Sequence, residues 1–364
     1  MLEKLRSKYI LKQIIEIIKN KRKLNFIKYN KKLLDKLEIT KKNFEIYIPL
    51  NEFNKNYNTN IEDIDIKELN LRDRKLGNEV LNNLVKIELY ELIKLDLSSN
   101  EISDIDVLEK VNFPELKELY LSGNKISKIN ILEKVNFKEL NILYLSMNNI
   151  SDIDVLEYVN FPKLTQLYLH DNNISDIDVL EYVNFPELRQ LDLSFNDISD
   201  IDVLEYVDFP ELTQLYLIDN KISNIDILEK VNFKELNILY LNLNKISDID
   251  VLEYVNFPKL TELYLLGNEE LSDINVLERV NFKELNVLDL SVNEISNIDV
   301  LGKVDFKKLK ILSLFENQIS DIDILGKCNF QELIELDLNE NQISEIDILG
   351  ECNFKDLKKI ILKW

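Results

Sequence analysis

The feature of this sequence that most constrains its fold is an asparagine that returns every 24 residues. One extra residue, at Glu269-Glu270, shifts the rhythm by a single position, after which the period of 24 resumes. A fixed period of this length indicates repeats that stack on one another rather than separate globular domains. The recurring residues, which define eleven repeats, are Asn100, Asn124, Asn148, Asn172, Asn196, Asn220, Asn244, Asn268, Asn293, Asn317 and Asn341.

Each repeat reads close to L-x-x-L-x-L-S-x-N-x-I-S-D-I-D-V-L-E-x-V-N-F-P-E. The L-x-L step alternates apolar and variable positions, which predicts a short strand with both leucines on one side. Residues 106–109, Asp-Val-Leu-Glu, fit a capping box, in which the Asp accepts from first-turn amides and the Glu reaches back. This predicts a helix of one or two turns, α or 3₁₀. Phe113 is then expected to turn inward, and Pro114 restricts the chain before the next strand.

A single repeat cannot bury its own leucine, isoleucine, valine and phenylalanine side chains, so neighbouring repeats must stack to close a common core. The recurring asparagines are expected to form a ladder whose amides pair with backbone groups in adjacent coils. We therefore predict an α/β solenoid, a right-handed superhelix with a curved parallel sheet on its concave face. Short α or 3₁₀ helices are expected on the convex face, with a small helical cap at the N-terminus.

The repeat unit resembles that of leucine-rich repeat (LRR) proteins, most closely the subclass shared by internalins and phosphatase-regulating LRR proteins. The resemblance is carried by stretches such as LYLSGNKISKINILEKVNF at 119–137 and LDLSFNDISDIDVLEYVDF at 191–209, and it covers about residues 66–364. It implies the solenoid fold and a role in protein binding, and it says almost nothing about the partner. The period of 24 is longer than is usual for the subclass.

Residues 1–60 differ from the repeats in charge and pattern. They contain 15 Lys or Arg and 6 Asp or Glu, whereas the whole chain has a net charge of −21. Apolar residues near helical spacing predict two or three short amphipathic helices up to about Leu37, followed by a polar connector near Asn51–Asn60. We divide the chain into a basic helical N-terminal cap or module, 1–60, and the LRR solenoid, 61–364. The alternatives to a cap are a helical module that docks a partner, and a contact with nucleic acid or membrane.

The scarce residues exclude several classes of chemistry. The six glycines are far apart, which excludes the clustered glycines of a phosphate-binding loop. With one His and two Cys, the chain lacks the four Cys or His ligands of a usual zinc site. The sequence offers no nucleophile that would pair with His170 for catalysis. We therefore expect no enzyme activity, no catalytic residues, no metal and no cofactor. The acidic solenoid is not expected to bind nucleic acid, and no stretch is long and apolar enough to span a membrane. A cytoplasmic monomer is the expected state.

Three variable columns of residues on the strands are predicted to line the concave face. Tyrosines dominate the central column, in two runs of three on either side of Asp192, and large apolar residues lie beside them. Tyrosine is favoured in interfaces because it offers a large rigid surface and a hydroxyl group. The alternative is a purely structural ladder, because aromatic stacking stabilises a sheet whatever it binds. The predicted partner-binding residues are Tyr120, Ile142, Tyr144, Tyr168, His170, Asp192, Phe195, Tyr216, Ile238, Tyr240, Tyr264 and Phe315.

These features predict a non-catalytic scaffold that binds a protein partner, of unknown identity, on the concave surface. Two alternatives are a regulatory subunit of a phosphatase-type catalytic chain, as the resemblance implies, and an adaptor that docks through its N-terminal helices. The recurring Asp and Glu residues of the convex side are interpreted as caps and solvated charge rather than calcium ligands. Gly302, Gly326 and Gly350 replace a Glu in the last repeats, which predicts a looser C-terminal third. Cys328 and Cys352 are expected to be buried, reduced thiols.

Overall fold

The computed structural model describes residues 47–61, 64–352 and 354–362. In this part of the chain there are two α-helices, α1 (Tyr47–Tyr57) and α2 (Glu79–Leu84). The thirteen strands described there are β1 Glu68–Asn70, β2 Lys94–Asp96, β3 Glu118–Tyr120, β4 Ile142–Tyr144, β5 Gln166–Tyr168, β6 Gln190–Asp192, β7 Gln214–Tyr216, β8 Ile238–Tyr240, β9 Glu262–Tyr264, β10 Val287–Asp289, β11 Ile311–Ser313, β12 Glu335–Asp337 and β13 Lys359–Ile361. The 3₁₀ helices are Asp106–Lys110, Asn130–Glu133, Asp154–Glu157, Asp178–Glu181, Asp202–Glu205, Asp226–Glu229, Asp250–Glu253, Asn275–Glu278, Asp299–Gly302, Asp323–Lys327 and Asp347–Gly350.

All strands belong to one parallel sheet, in which each strand pairs only with its neighbours in the chain. The register is constant, so equivalent residues of successive coils lie side by side, as Tyr144 lies beside Tyr168. The 3₁₀ helices form a second row that packs coil against coil. This arrangement confirms the predicted LRR solenoid, and it resolves the helix type as 3₁₀.

The core lies between the sheet and the row of 3₁₀ helices. In the eleven repeats both leucines of the L-x-L step are buried, as at Leu167 and Leu169, and so is the isoleucine (Leu271 in one repeat) that follows each ladder asparagine. Phe185 is only 1% exposed, and the equivalent phenylalanines from Phe113 to Phe330 are buried alike. Because each coil adds one copy of every apolar group, the core is continuous along the solenoid.

The recurring asparagines bond coil to coil. The Nδ2 group of Asn196 donates to the carbonyl oxygens of Leu193 (3.0 Å) and Ser194 (3.1 Å) in its own coil and of Leu169 (3.1 Å) in the preceding coil. Its Oδ1 atom accepts from the backbone N–H of Ile174, at 3.0 Å. The carbonyl of Ser194 also accepts from a backbone N–H, whereas those of Leu193 and Leu169, on either side of a coil boundary, accept from the side-chain amides of the ladder.

The predicted capping box is wrong in its choice of residue. The Oδ1 atom of Asp104, not a side chain of the 3₁₀ helix itself, accepts from the backbone N–H of Asp106 at 2.8 Å. The same bond joins Asp152 to Asp154 at 2.9 Å. A helix of a single turn begins with the N–H of Asp106, and an Asp two residues earlier reaches that donor as an Asx turn.

The residue before each ladder asparagine adopts a left-handed backbone conformation. Its φ is positive in every repeat, as at Gly123 (+66°), Gly267 (+72°), Met147 (+56°) and Phe195 (+53°). Glycine adopts this conformation without a steric penalty, whereas other L-residues lose about 1–2 kcal/mol in it. Large side chains at this position therefore need a reason other than backbone preference.

Helix α1 packs on the first coil, so part of the predicted connector at Asn51–Asn60 is instead helical. Leu50, Phe53 and Tyr57 are buried on one face of the helix and belong to the common core. Arg74, which stands where later repeats carry Asn, donates from a guanidinium nitrogen to the carbonyl of Tyr57 at 2.8 Å. Tertiary packing of three apolar side chains thus overrides the polar composition of the segment. The helices predicted up to Leu37 lie outside the described residues.

Packing in the C-terminal third does not loosen at the first two glycines. Val300, Leu301 and Leu325 are buried, and a β-carbon added at Gly326 would lie 2.7 Å from the Cδ1 atom of Ile348. Glycine therefore leaves space there for the isoleucine of the next coil. The 3₁₀ helix at Asp347–Gly350, in the last coil but one, has no buried residue. The predicted looseness of the whole third stays a prediction.

Candidate functional site

The exposed side of the sheet, hereafter the sheet face, consists of the first and third residues of each strand and of the second and third residues after it, such as His170 and Asp171 after β5. In β4, β5 and β8, for example, the middle leucine points into the core, while its neighbours in the strand are partly exposed. Within the described residues, no element covers this side. Because the strands are in register, side chains from successive coils form columns across the face.

Two stacks of three tyrosines lie in the central column. In the first stack, the ring centroids of Tyr120 and Tyr144 are 4.8 Å apart and those of Tyr144 and Tyr168 are 4.1 Å apart, with nearly parallel planes. The second stack contains Tyr216, Tyr240 and Tyr264, with centroid distances of 4.9 and 4.2 Å. Stacking of this kind stabilises a sheet whatever the face binds, so recognition by these rings is a proposal that is taken up below.

A lysine lies over the terminal ring of the first stack, on the side of β2. The Nζ atom of Lys94 lies 4.4 Å from the ring centroid of Tyr120 and 3.0 Å from Oε2 of Glu118. Burial tends to raise the pKa of Glu118, but Lys94 and the Tyr120 hydroxyl together hold it below its usual value. The end of a tyrosine stack on this face therefore accepts a cation when a carboxylate lies beside it.

Glutamines connect the two stacks across the gap at Asp192. The Tyr168 hydroxyl donates to Oε1 of Gln190 (2.5 Å), Gln190 donates to Oε1 of Gln214 (2.7 Å), and the Tyr216 hydroxyl donates to the same oxygen (2.7 Å). The pKa values of Tyr168 and Tyr216 are raised, mainly by burial. Their hydroxyl groups therefore stay protonated and remain hydrogen-bond donors at neutral pH.

His170 and Asp192 meet beside this gap. The Nδ1 atom of His170 lies 3.0 Å from Oδ2 of Asp192, an ion-pair distance. These two atoms do not have the geometry of a hydrogen bond. The buried Nδ1 atom has no hydrogen-bond partner among the described residues. Oδ1 of Asp192 accepts from the backbone N–H of Ser194, at 3.0 Å. Asp192 therefore supports its own turn as well as lying between the stacks.

Large apolar side chains project from the left-handed position at the edge of the face. Met147 is 52% exposed, Phe195 46% and Leu243 42%. Ile142 and Ile238 lie beside the tyrosine stacks at the first position of β4 and β8, and both are half-buried. Phe315 follows β11, two strands beyond Tyr264, so the structure separates it from the stacks. The other predicted residues share one continuous surface.

Sequence reasoning missed a second set of aromatic residues, on the side of the 3₁₀ helices. Tyr158, Tyr182, Tyr206 and Tyr254 each follow a 3₁₀ helix and are among the most exposed large side chains of the described chain. The sequence contained a signal for them, because tyrosine replaces the Lys or Arg that most other repeats carry at this position.

The described residues contain no group of three or more His, Cys, Asp or Glu side chains placed to hold a metal ion. Nor does any helix in the ranges given above have the length and apolar character to cross a membrane.

Comparison with known proteins gives one family match. The model described as leucine-rich repeats in two copies matches residues 90–134, 138–182, 186–230 and 234–279. A search of curated protein sequences gave no match.

Solved structures share the architecture. An internalin from Listeria monocytogenes is 27% identical, with 88% of this chain and 92% of that chain covered and a TM-score of 0.68. An LRR protein of Leptospira interrogans is 22% identical, with 86% and 81% covered and a TM-score of 0.66. A plant peptide hormone receptor, in complex with its peptide, is 21% identical, with 82% and 56% covered and a TM-score of 0.52. The last two likenesses concern the fold alone.

Proposed function

This chain belongs to the leucine-rich repeat family, and from that premise we propose that it is a non-catalytic scaffold that binds a protein partner on its sheet face. The observation that carries the proposal is the pair of tyrosine stacks, flanked by exposed apolar side chains, on a sheet side that no described element covers. Contiguous exposed apolar surface usually marks a site of interaction. Tyrosine suits such a site because a rigid ring loses little entropy when it is covered.

The left-handed position adds a second argument. Met147, Phe195 and Leu243 occupy positive-φ backbone where Gly123 and Gly267 occur in other coils. A large exposed side chain there costs backbone energy and gains little from burial. Packing alone does not account for its presence, whereas contact with a partner does. Strained, exposed positions of this kind cluster at functional sites.

Charge indicates the chemistry of the partner. Lys94 and Lys359, the lysines that the described strands place on the face, are already paired with Glu118 and Glu335. Asp171 and Asp219, by contrast, are exposed at the edge. Complementary charge increases the rate and the selectivity of association. The surface therefore fits a partner that presents basic groups together with apolar ones.

We expect the change of Tyr168, Phe195 and Tyr216 to Ala to abolish capture of this partner. The three side chains lie at the centre of the face, where truncation usually has the largest effect on binding. The measurement is affinity capture from native cells with the full chain as bait, followed by mass spectrometry, with circular dichroism as a test of folding.

The matched control changes Tyr158, Tyr182 and Tyr206 to Ala, which removes three aromatic groups from the opposite side of three successive coils, two of which the sheet-face variant also alters. Proteins lost with the sheet-face variant and kept with the control are its partners. Full capture by the sheet-face variant would exclude the sheet face as the binding surface. Recovery of a catalytic subunit would identify the regulatory alternative, and loss of capture only on deletion of 1–46 would identify the adaptor.

A stability measurement tests the argument from backbone conformation. We expect Phe195→Gly to be more stable than Phe195→Ala by about 0.5–1 kcal/mol, because both lose the ring but only glycine relieves the positive φ. Urea denaturation followed by circular dichroism measures the difference. Phe185, whose backbone conformation is not left-handed, provides the comparison, since Gly should be the less stable replacement there. Equal stabilities at position 195 would remove this support.

We also propose that the protein works in a reducing, cytoplasmic environment. Cys328 and Cys352 lie one coil apart as free thiols, the first buried and the second half-buried. Burial raises the pKa of the Cys328 thiol to about 12, so it stays protonated and unreactive. Unpaired neighbouring thiols are more typical of intracellular than of secreted proteins.

A further inference from the structure

The position after the Glu or Gly near the end of each 3₁₀ helix forms a column across the coils, and it holds either a basic residue or a tyrosine in all but the last repeat. The tyrosines Tyr158, Tyr182 and Tyr206 occupy three successive coils, and we call them the tyrosine stripe. Their side chains are 61%, 58% and 59% exposed. The remaining members of the column are Lys110, Lys134, Lys230, Tyr254, Arg279, Lys303, Lys327 and Glu351.

Three basic residues in this column pair with the glutamate of the preceding coil. Lys230 lies 3.3 Å from Glu205, and Arg279 lies 2.5 Å from Glu253. Lys303 and Glu278 repeat the contact at 2.9 Å. Each pair bridges two coils on the exposed side of the 3₁₀ helices, where an ion pair adds at most about 1 kcal/mol of stability but neutralises the glutamate.

The tyrosine stripe breaks that pattern. Tyr182 and Tyr206 stand where a cation would face Glu157 and Glu181, and neither glutamate has an ion-pair partner among the described residues. A shallow cleft is lined by Tyr182, Tyr206 and nearby carboxylates, including that of Asp202. Three coils therefore present aromatic rings beside carboxylates that the neighbouring repeats neutralise.

The carboxylates of these coils crowd one another. The pKa of Asp178 is raised mainly by burial, and the negative charges of Asp176 and Asp200 raise it further. The pKa of Asp154 is raised in the same way, with contributions from Asp152 and Asp176. A bound cation would relieve this repulsion, and the rings beside it offer faces to a planar cation.

We propose that the tyrosine stripe is a second docking surface, separate from the sheet face, and that its occupant is an arginine-rich polypeptide segment. Guanidinium groups stack on tyrosine rings and pair in fork geometry with carboxylates, so arginine fits both features of the stripe at once. A lysine ammonium lacks the planar stacking surface. Within the repeat itself, Arg279 on Glu253 already shows that an arginine reaches the carboxylate from this side.

The test uses the full chain and a fluorescent octa-arginine peptide, with binding followed by anisotropy at physiological salt. The variant Tyr158→Lys/Tyr182→Lys restores the lysines found in other repeats, so it is expected to fold. We expect it to bind the peptide about tenfold more weakly, because two rings are lost and the carboxylate of Glu157 gains an ion-pair partner within the solenoid.

The control Asn149→Lys/Asn173→Lys adds the same two charges to the same coils, at exposed positions where Lys125, Lys221 and Lys245 occur in other repeats. We expect its affinity to stay within about threefold of the unmodified chain. The sheet-face variant with Ala at 168, 195 and 216 should bind the peptide normally, so this result is independent of the proposed function. Equal weakening by both lysine pairs would overturn the proposal. So would failure of the full chain to bind, including by occlusion of the stripe by its own basic residues 1–46.

Discussion

Replacing Phe185 with Ala is expected to lower the free energy of unfolding of the central coils by about 3–5 kcal/mol. The ring is 1% exposed and lies in the middle of a stripe with one phenylalanine per coil. Its removal loses the transfer free energy of the ring and leaves a cavity between two coils that backbone hydrogen bonds hold at a fixed spacing. Little collapse is possible there, because the sheet fixes the distance between neighbouring coils.

Native-state hydrogen exchange is the appropriate measurement, since stability in a solenoid is distributed over coils and a single midpoint averages them. Loss of protection should be largest in β6 and β7 and should fall toward both ends. Phe354→Ala is the control, because that ring is only half-buried and packs on Phe330 at a centroid distance of 6.1 Å. Equal effects at the two positions would contradict a continuous core that is completed by neighbouring coils.

Asn196 is expected to be nearly as sensitive, and the size of the effect depends on what replaces its amide group. Asn196→Ala should cost about 1–3 kcal/mol, because the carbonyl oxygens of Leu193 and Leu169 each lose a donor and the N–H of Ile174 loses its partner. Asn196→Asp should cost more, about 3–5 kcal/mol at neutral pH, because it places a charged oxygen against those carbonyls in a buried site.

The Asp variant also predicts a pH dependence. Burial and the facing carbonyl oxygens would raise the pKa of the introduced carboxyl group in the folded state, so the folded form takes up a proton before the unfolded form does. Its stability deficit relative to the unmodified chain should therefore shrink as the pH falls from about 7 to about 5. Urea denaturation at several pH values measures this. Asn160→Asp, at an exposed position, is the control and should have little effect. A deficit that is independent of pH would contradict the hydrogen bonds assigned to Asn196.

Much of the fold follows from local sequence because the repeat is regular. Leu167 and Leu169 flank one strand position, and every coil repeats that spacing, so the strand, the turn and the buried side follow from one period. The interval of 24 also fixes which residues share a column. Two glycines in one column, Gly123 and Gly267, were a signal for the left-handed turn. That signal is weak, because nine other residues in the column are not glycine.

Irregular features were harder to predict. The segment Asn51–Asn60 is polar by composition, yet Leu50, Phe53 and Tyr57 anchor a helix on the first coil. The capping aspartate was assigned two positions too late, because the pattern S-D-I-D offers two candidates and only the length of the helix decides between them.

By itself, the sequence determined the solenoid, because a constant period forces each coil to complete its core with the next. It also determined which residues lie on the sheet face, because the alternation of side chains along a strand is a local property. Only the tertiary structure decided how neighbouring columns interact: that Gln190 and Gln214 bridge the tyrosine stacks, and that Tyr182 replaces a cation opposite Glu157. Contacts between side chains in different coils depend on rotamers, reach and burial, which no single repeat encodes.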